Sequence, residues 1–219
     1  MRKIYYIIIA IILIVLIFKM SFYIAKTVEE KEIKLHREIP QDERCQILEE
    51  LFNYTIKKAE ENNIKIIPVT GTLLGLIREE QIIRHDYDVD IFLFDDDWIK
   101  FKNIISEDLN SKYYFRTTDH LWHHKYEILD KKTNLSVDFS RIYETSDHIK
   151  VDVFLSFTKS GVRDGKLILS DLGRKKYDKD LFLPLKETST KYGKAYYPNE
   201  TEKLLVNWYG DNWTTPDRK

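Results

Sequence analysis

The order of segments predicts a mixed α/β or α+β domain, a mixed sheet flanked by helices, behind an N-terminal apolar segment. Three observations predict it. Leu48, Leu51, Phe52, Ile56 and Ala59 recur at helical spacing. A short apolar run, 64–69, leads into Thr70-Gly71-Thr72, a turn that opens a second helix. In the strand-like run 89–94, Val89, Ile91 and Leu93 alternate with their neighbours and form one apolar face.

The elements follow in order. Arg2 and Lys3 precede an apolar run at 4–18, and after Lys19 the run resumes to Ala25. With Lys19 snorkelling, residues 4–25 are long enough to cross a bilayer, which takes ~20 residues. The run exceeds a usual signal-peptide core and lacks a small-x-small cleavage site, so it reads as an uncleaved anchor with the N-terminus inside. Residues 26–40 are charged, without an apolar stripe, and read as a stalk. The globular domain then occupies 41–219. Its first helix opens after Pro40 and ends at Asn62-Asn63, and a short helix follows at 73–78. Asp95-Asp96-Asp97 caps a helix carrying Trp98, Phe101, Ile104 and Ile105. Strands are expected near 113–116, 126–129, 135–143 and 148–155. A capping box at Asn199 and Glu202 opens a last helix, and Gly210 stops it.

Composition excludes some functions. Thirty-five basic residues nearly cancel thirty-six acidic ones, which leaves no basic field for nucleic acid. A single cysteine, Cys45, excludes an intrachain disulfide and a cysteine-based zinc site. His120, His123 and His124 form a small cluster whose spacing puts them on different faces of a strand, which weighs against a shared metal site, and Trp122, Trp208 and Trp213 read as core.

Chemistry concentrates in two motifs. On an extended chain Asp88 and Asp90 share a face opposite Val89, Ile91 and Leu93. Two carboxylates there repel by ~4 kcal/mol at about 4 Å with an effective dielectric near 20. A cation relieves that, and hard oxygen ligands favour Mg²⁺ or Mn²⁺. Asp95–Asp97 is the internal control: an equally acidic run assigned only to turn and cap. Upstream, Gly71-Thr72-Leu73-Leu74-Gly75 lies between strand and helix, where backbone amides and the helix N-terminus suit phosphate. Arg78 follows, a donor contact or a surface ion pair. Asp152 points away from the apolar face formed by Ile149, Val151 and Val153.

GTLLG (71–75), Arg78 and HDYDVD (85–90) together resemble the LicD/fukutin family, including the fukutin-related proteins. The segment 137–157 resembles the family's second acidic strand pair. LFLPL (181–185), YYPN (196–199) and NWYGDNW (207–213) resemble its C-terminal signature. His85 stands where the family usually has Trp, and the cysteine-rich zinc insertion of the fukutin-related branch is missing. The resemblance implies a nucleotidyltransferase (polymerase-β-like) fold. It implies metal-dependent transfer of a phosphate-linked group, such as phosphocholine or ribitol phosphate, from a CDP-type donor to a glycan or glycoprotein acceptor. Asp88 and Asp90 would then be metal ligands and Asp152 the third carboxylate, as base or further ligand. Gly71, Thr72, Gly75 and Arg78 would face donor phosphates. Asp86 would be a cap or supporting partner, and Asp138 and Arg141 either site residues or a cross-strand ion pair. Two other readings fit parts of the chain: a type II membrane glycosyltransferase binding a sugar nucleotide through Asp88-x-Asp90, and a catalytically inactive adaptor. Four N-x-S/T sequons, at Asn53, Asn134, Asn199 and Asn212, suit a secretory lumen. For a eukaryotic source the family implies a Golgi address; for a bacterial one, the cytoplasmic face of the membrane.

Overall fold

The computed structural model describes residues 2–107, 112–120, 123–151, 161–163, 166–168 and 176–216. Helix α1 (Arg2–Glu38) joins the apolar segment to the charged one without a break. Ile11 to Ile17 are all exposed, as are Met20 and Tyr23. Among the described residues, no helix is long and apolar enough to cross a membrane. The end of α1 is fixed to the domain. In helix α2 (Gln41–Glu61) the Arg44 guanidinium donates to the His36 and Ile39 carbonyls, both at 3.3 Å.

Among the described residues, a seven-stranded sheet organises the domain. Strands β1 (Ile67–Pro68), β2 (Asp88–Phe94), β5 (Ser136–Glu144), β4 (His123–Asp130) and β3 (Tyr113–His120) lie side by side in that order. β6 (His148–Val151) adds to the end of β5, and β9 (Lys176–Asp178) adds to β6. The β2–β5 pair is parallel and the other pairs are antiparallel, so the sheet is mixed as expected. β7 (Gly161–Arg163) pairs β8 (Lys166–Ile168), and β10 (Lys186–Thr190) pairs β11 (Gly193–Tyr197).

Period-two alternation decides what each sheet face carries. Val89, Ile91 and Leu93 of β2 join Val137 and Phe139 of β5 in the larger core. Against them pack Leu48, Leu51, Phe52 and Ile56 of α2, and Trp98, Phe101 and Ile105 of α4 (Asp95–Glu107). The opposite face is divided along its length. Phe92 and Ile142 meet Phe182 of α5 (Lys179–Phe182) and Leu204 of α6 (Thr201–Tyr209) in a second core. The same face at the start of β2 carries Asp88 and Asp90 instead. The apolar end therefore seats α6, and the C-terminal turn of α6 reaches the acids.

Three local expectations change. Helix α3 spans Thr70–Arg78, so the Gly-rich motif forms its first turns instead of a preceding loop. Leu73, Leu74 and Leu76 are buried on it, and that packing outweighs the poor helix propensity of Gly and Thr. Only Ile67 and Pro68 of the 64–69 run pair as strand. The capping box does not form: the Asn199 amide donates to the Asp180 carbonyl at 3.0 Å, and no side chain caps α6. Gly210 does end that helix, at φ 82, with its N–H on the Val206 carbonyl at 2.7 Å.

Candidate active site

Strand register builds the site. In the parallel β2–β5 pair, Asp90 lies opposite Asp138 and Asp88 opposite Ser136. Asp88, Asp90 and Asp138 each turn one carboxylate oxygen into a group whose members lie within 4.8 Å of one another. Asp88 is exposed and Asp138 is buried at 8 % exposure. Asp138 accepts a 2.7 Å bond from the Ser136 hydroxyl. The row continues across the sheet: Asp138 faces Glu127 of β4, and Glu127 faces Arg116 of β3. Glu127 is buried, and Arg116 holds it through Nε and Nη2 at 2.5 and 3.0 Å.

Segment 69–72 closes the site from the other side. The Val69 N–H donates to the Asp90 carbonyl at 3.1 Å, and the Asp90 N–H donates to Thr72 Oγ1 at 2.8 Å. The Thr70 hydroxyl donates to Asp90 Oδ2. Thr70, Gly71 and Thr72 form the first turn of α3, where amide N–H groups lack intrahelical acceptors and the helix dipole is positive. These three residues line a cavity of about 510 Å³ with Asp86, Asp88, Asp90, Asn207, Trp208 and Tyr209.

Asp86 sits directly against the helix. A Cβ at Gly71 would lie 2.8 Å from Asp86 Oδ2. Burial pushes the Asp86 carboxyl up to about 6; Asp90 and Glu79 add to the rise, and His85 and Arg78 oppose it. Its backbone carbonyl accepts from Arg44 Nε at 2.9 Å, and the same guanidinium stacks 4.3 Å over the Tyr87 ring. On the far wall Tyr209 keeps part of its ring exposed, yet partial desolvation and the charges of Asp86, Asp90 and Asp88 push its phenol up, so it stays a protonated donor. The Trp208 indole is fixed by a 3.2 Å bond to the Tyr177 hydroxyl.

The expected site residues separate in space. Asp86, Asp88, Asp90, Gly71 and Thr72 meet at the cavity. Gly75 does not: a Cβ there would lie 2.5 Å from the Gln81 carbonyl oxygen, so this glycine serves backbone packing against the 81–83 loop. Arg78 is not a cavity-lining residue. Its guanidinium pairs with Glu79 and reaches the Trp213 carbonyl at 3.4 Å. Arg141 pairs at 3.2 Å with Asp95, which belongs to helix α4 and not to a neighbouring strand, on the sheet face opposite Asp138. Asp138 is the acid that the described structure groups with Asp88 and Asp90; Asp152 lies outside the described residues, as do Trp122 and the side chains of His120, His123 and His124. Sequence reasoning named neither Thr70 nor Asn207 and Tyr209 as site residues. The only available signal for the last two was the NWYGDNW motif.

The donor set fits a hard divalent cation. Among the described residues it consists of three carboxylates, one of them buried, with no thiol or imidazole in the group. A model of the LicD/FKTN/FKRP nucleotidyltransferase domain matches residues 63–200, well over half of the chain. The chain belongs to the LicD family. The matched span runs from the turn after α2 to Glu200 and contains every acid of the group. A search of curated proteins finds no match. Among solved structures, the chain is similar to a candidate nucleotidyltransferase from Thermotoga maritima at 13 % identity and a TM-score of 0.38. That likeness covers 72 % of this chain and 81 % of the other, and at that score it carries no argument. LicD membership supports a transferase of phosphate-linked groups acting on a nucleotide-linked donor.

Proposed function

We propose that this LicD protein transfers a phosphate-linked group, such as phosphocholine or ribitol phosphate, from a CDP-type donor to a hydroxyl of a glycan or glycoprotein. The observation that carries the reading is the convergence of Asp88, Asp90, the α3 N-terminus and the α6 C-terminus on one cavity, with Asp138 grouped beside the two acids. Asp88, Asp90 and Asp138 would hold Mg²⁺ or Mn²⁺, which when bound offsets charge on the donor phosphates. The first-turn amides of α3 receive phosphate oxygens, and Gly71 keeps that approach free of a side chain. Asn207 and Tyr209 donate to the donor from the opposite wall. A carboxylate, Asp152 in this reading, takes the acceptor hydroxyl proton. The hydroxyl oxygen bonds to the distal phosphorus of the donor, and the bond from that phosphorus to the bridging oxygen breaks, releasing the nucleoside monophosphate.

The apolar part of α1 inserts in a bilayer and holds the domain at the membrane. Its continuous exposed apolar residues and the bonds from Arg44 to His36 and Ile39 support this reading.

A thermal-shift screen of CDP-, UDP- and GDP-linked donors with Mg²⁺ or Mn²⁺ tests the reaction class, because a bound donor stabilises by mass action. A CDP-linked donor should raise the melting temperature only with metal present. Stabilisation by a UDP- or GDP-sugar alone would favour a glycosyltransferase, and stabilisation by no donor would favour an adaptor.

A further inference from the structure

Thr70 has a backbone that its side chain disfavours. It sits at φ 47, the left-handed region that β-branched residues rarely adopt. Glycine or asparagine would serve that backbone with less strain, and glycine stands next door at 71. Strain of this kind persists where the surroundings over-determine it, and it clusters at functional sites. What Thr supplies and glycine does not is a hydroxyl, and that hydroxyl donates to Asp90 Oδ2.

The bond sits on the β1 side of β2, where the ladder stops short of Asp90, while β5 pairs with it on the other side. The β1–β2 ladder ends at Pro68 opposite Ile91. Beyond it, Val69 N–H and Thr72 Oγ1 tie down the Asp90 backbone, and the Thr70 hydroxyl acts on its side chain. Rotation of a carboxylate about χ2 is soft. Without a cation, repulsion from Asp88 and Asp138 drives the Asp90 carboxylate outward. The hydrogen bond from Thr70 opposes that rotation, and a carboxylate offers about four lone-pair sites, so this bond does not by itself exhaust it as a ligand.

We infer that Thr70 is a positioning residue whose strained hydroxyl holds the Asp90 carboxylate facing Asp88 and Asp138, so that the three acids receive a cation without rearranging. This rests on the metal-binding reading of the acids. It predicts opposite effects on stability and on affinity, which a purely structural threonine would not give.

The test compares the full-length wild type, Thr70→Gly and Thr70→Ser in detergent. Mn²⁺ affinity is read by electron paramagnetic resonance, and melting temperature is read without metal. Thr70→Gly should melt at or above the wild type yet bind Mn²⁺ about 10-fold or more weakly, the scale seen when a ligand's supporting partner is lost. Thr70→Ser should bind within about 3-fold of the wild type, on the same scale of supporting-partner effects. Equal Mn²⁺ affinity in Thr70→Gly, a Ser variant as weak as Gly, or a Gly variant that melts well below wild type overturns the inference while the metal reading stands. A wild type that binds no Mn²⁺ overturns the metal reading and the inference with it.

Discussion

Two acidic runs lie within ten residues of each other, Asp86–Asp90 and Asp95–Asp97, and the structure uses them differently. Asp88 and Asp90 alternate along β2, so the buried Val89, Ile91 and Leu93 force both carboxylates onto one face, and register adds Asp138. Asp95–Asp97 are consecutive and sit in the first turn of α4, where negative charge complements the helix dipole. Their partners are an ordinary backbone amide and an ordinary ion pair. Asp97 Oδ2 accepts from the Lys65 N–H at 3.2 Å, and Asp95 pairs with Arg141. The number of carboxylates is the same; what differs is whether the backbone makes them converge or fan out. Convergence stores repulsion that a cation relieves, whereas a helix start already offsets the charge.

The sharpest way to break this contrast is to neutralise each run. Asp88→Asn or Asp90→Asn should lower turnover by at least ~10²-fold and raise the metal concentration required. The metal-free variants should melt at or above wild type, because the carboxylate repulsion is relieved. Asp95→Asn with Asp97→Asn should leave turnover unchanged and cost at most about 1 kcal/mol of stability, read by urea unfolding. Equal loss of turnover in both would erase the distinction.

Asp138→Asn extends the contrast to the acid that register contributes. Mn²⁺ affinity should fall ~10-fold or more, as for removal of a ligand or its close support. Calorimetric titration checks it, and unchanged affinity would remove Asp138 from the set.

The two glycines of the motif sharpen the comparison on the phosphate side. Gly75→Ala puts a Cβ onto the Gln81 carbonyl and the Ile83 backbone, and should cost ~1–3 kcal/mol of stability. Gly71→Ala meets only the end of the Asp86 side chain, which can swing aside. Its melting temperature should move little, while donor affinity falls.

The smallest effect concerns pH. The Asp86 carboxyl rises from an ordinary value near 3.8 to about 6 on folding. The folded state therefore binds more protons than the unfolded state between those values, and stability contributed by this group is lost as pH rises through the window. Asp86→Asn should gain on the order of 1 kcal/mol over metal-free wild type at pH 7 and nothing near pH 4, read by denaturant unfolding at the two values.

Much of the fold was legible because it is local. Helical spacing marked α2, alternation marked β2 and the side its acids share, and Gly210 marked the end of α6. Asp138 was legible only as one of two alternatives, site residue or ion-pair partner. Its place beside Asp90 comes from a parallel pairing whose register is set by distant residues, and Asp152, the third carboxylate that the resemblance implies, lies outside the described residues. Gly75 was read with Gly71 because both flank one motif. A nine-residue helix sends them to different neighbours, one to the cavity and one to the 81–83 loop. Tyr209 joins the site because Leu204 and Leu205 anchor α6 on the cores, a placement no local pattern encodes. The β10–β11 hairpin escaped notice because its first strand, KETST, carries no apolar alternation.

The central claim is that the acids on β2 and β5 form a cation site and those on α4 do not. Anomalous diffraction from crystals grown with Mn²⁺ and a CDP-linked donor tests it directly. The account predicts a peak bonded to Asp88, Asp90 and Asp138, at distances of about 2–2.3 Å, beside the first turn of α3. A peak at Asp95–Asp97 instead, or a bound donor with no metal at β2, would contradict it.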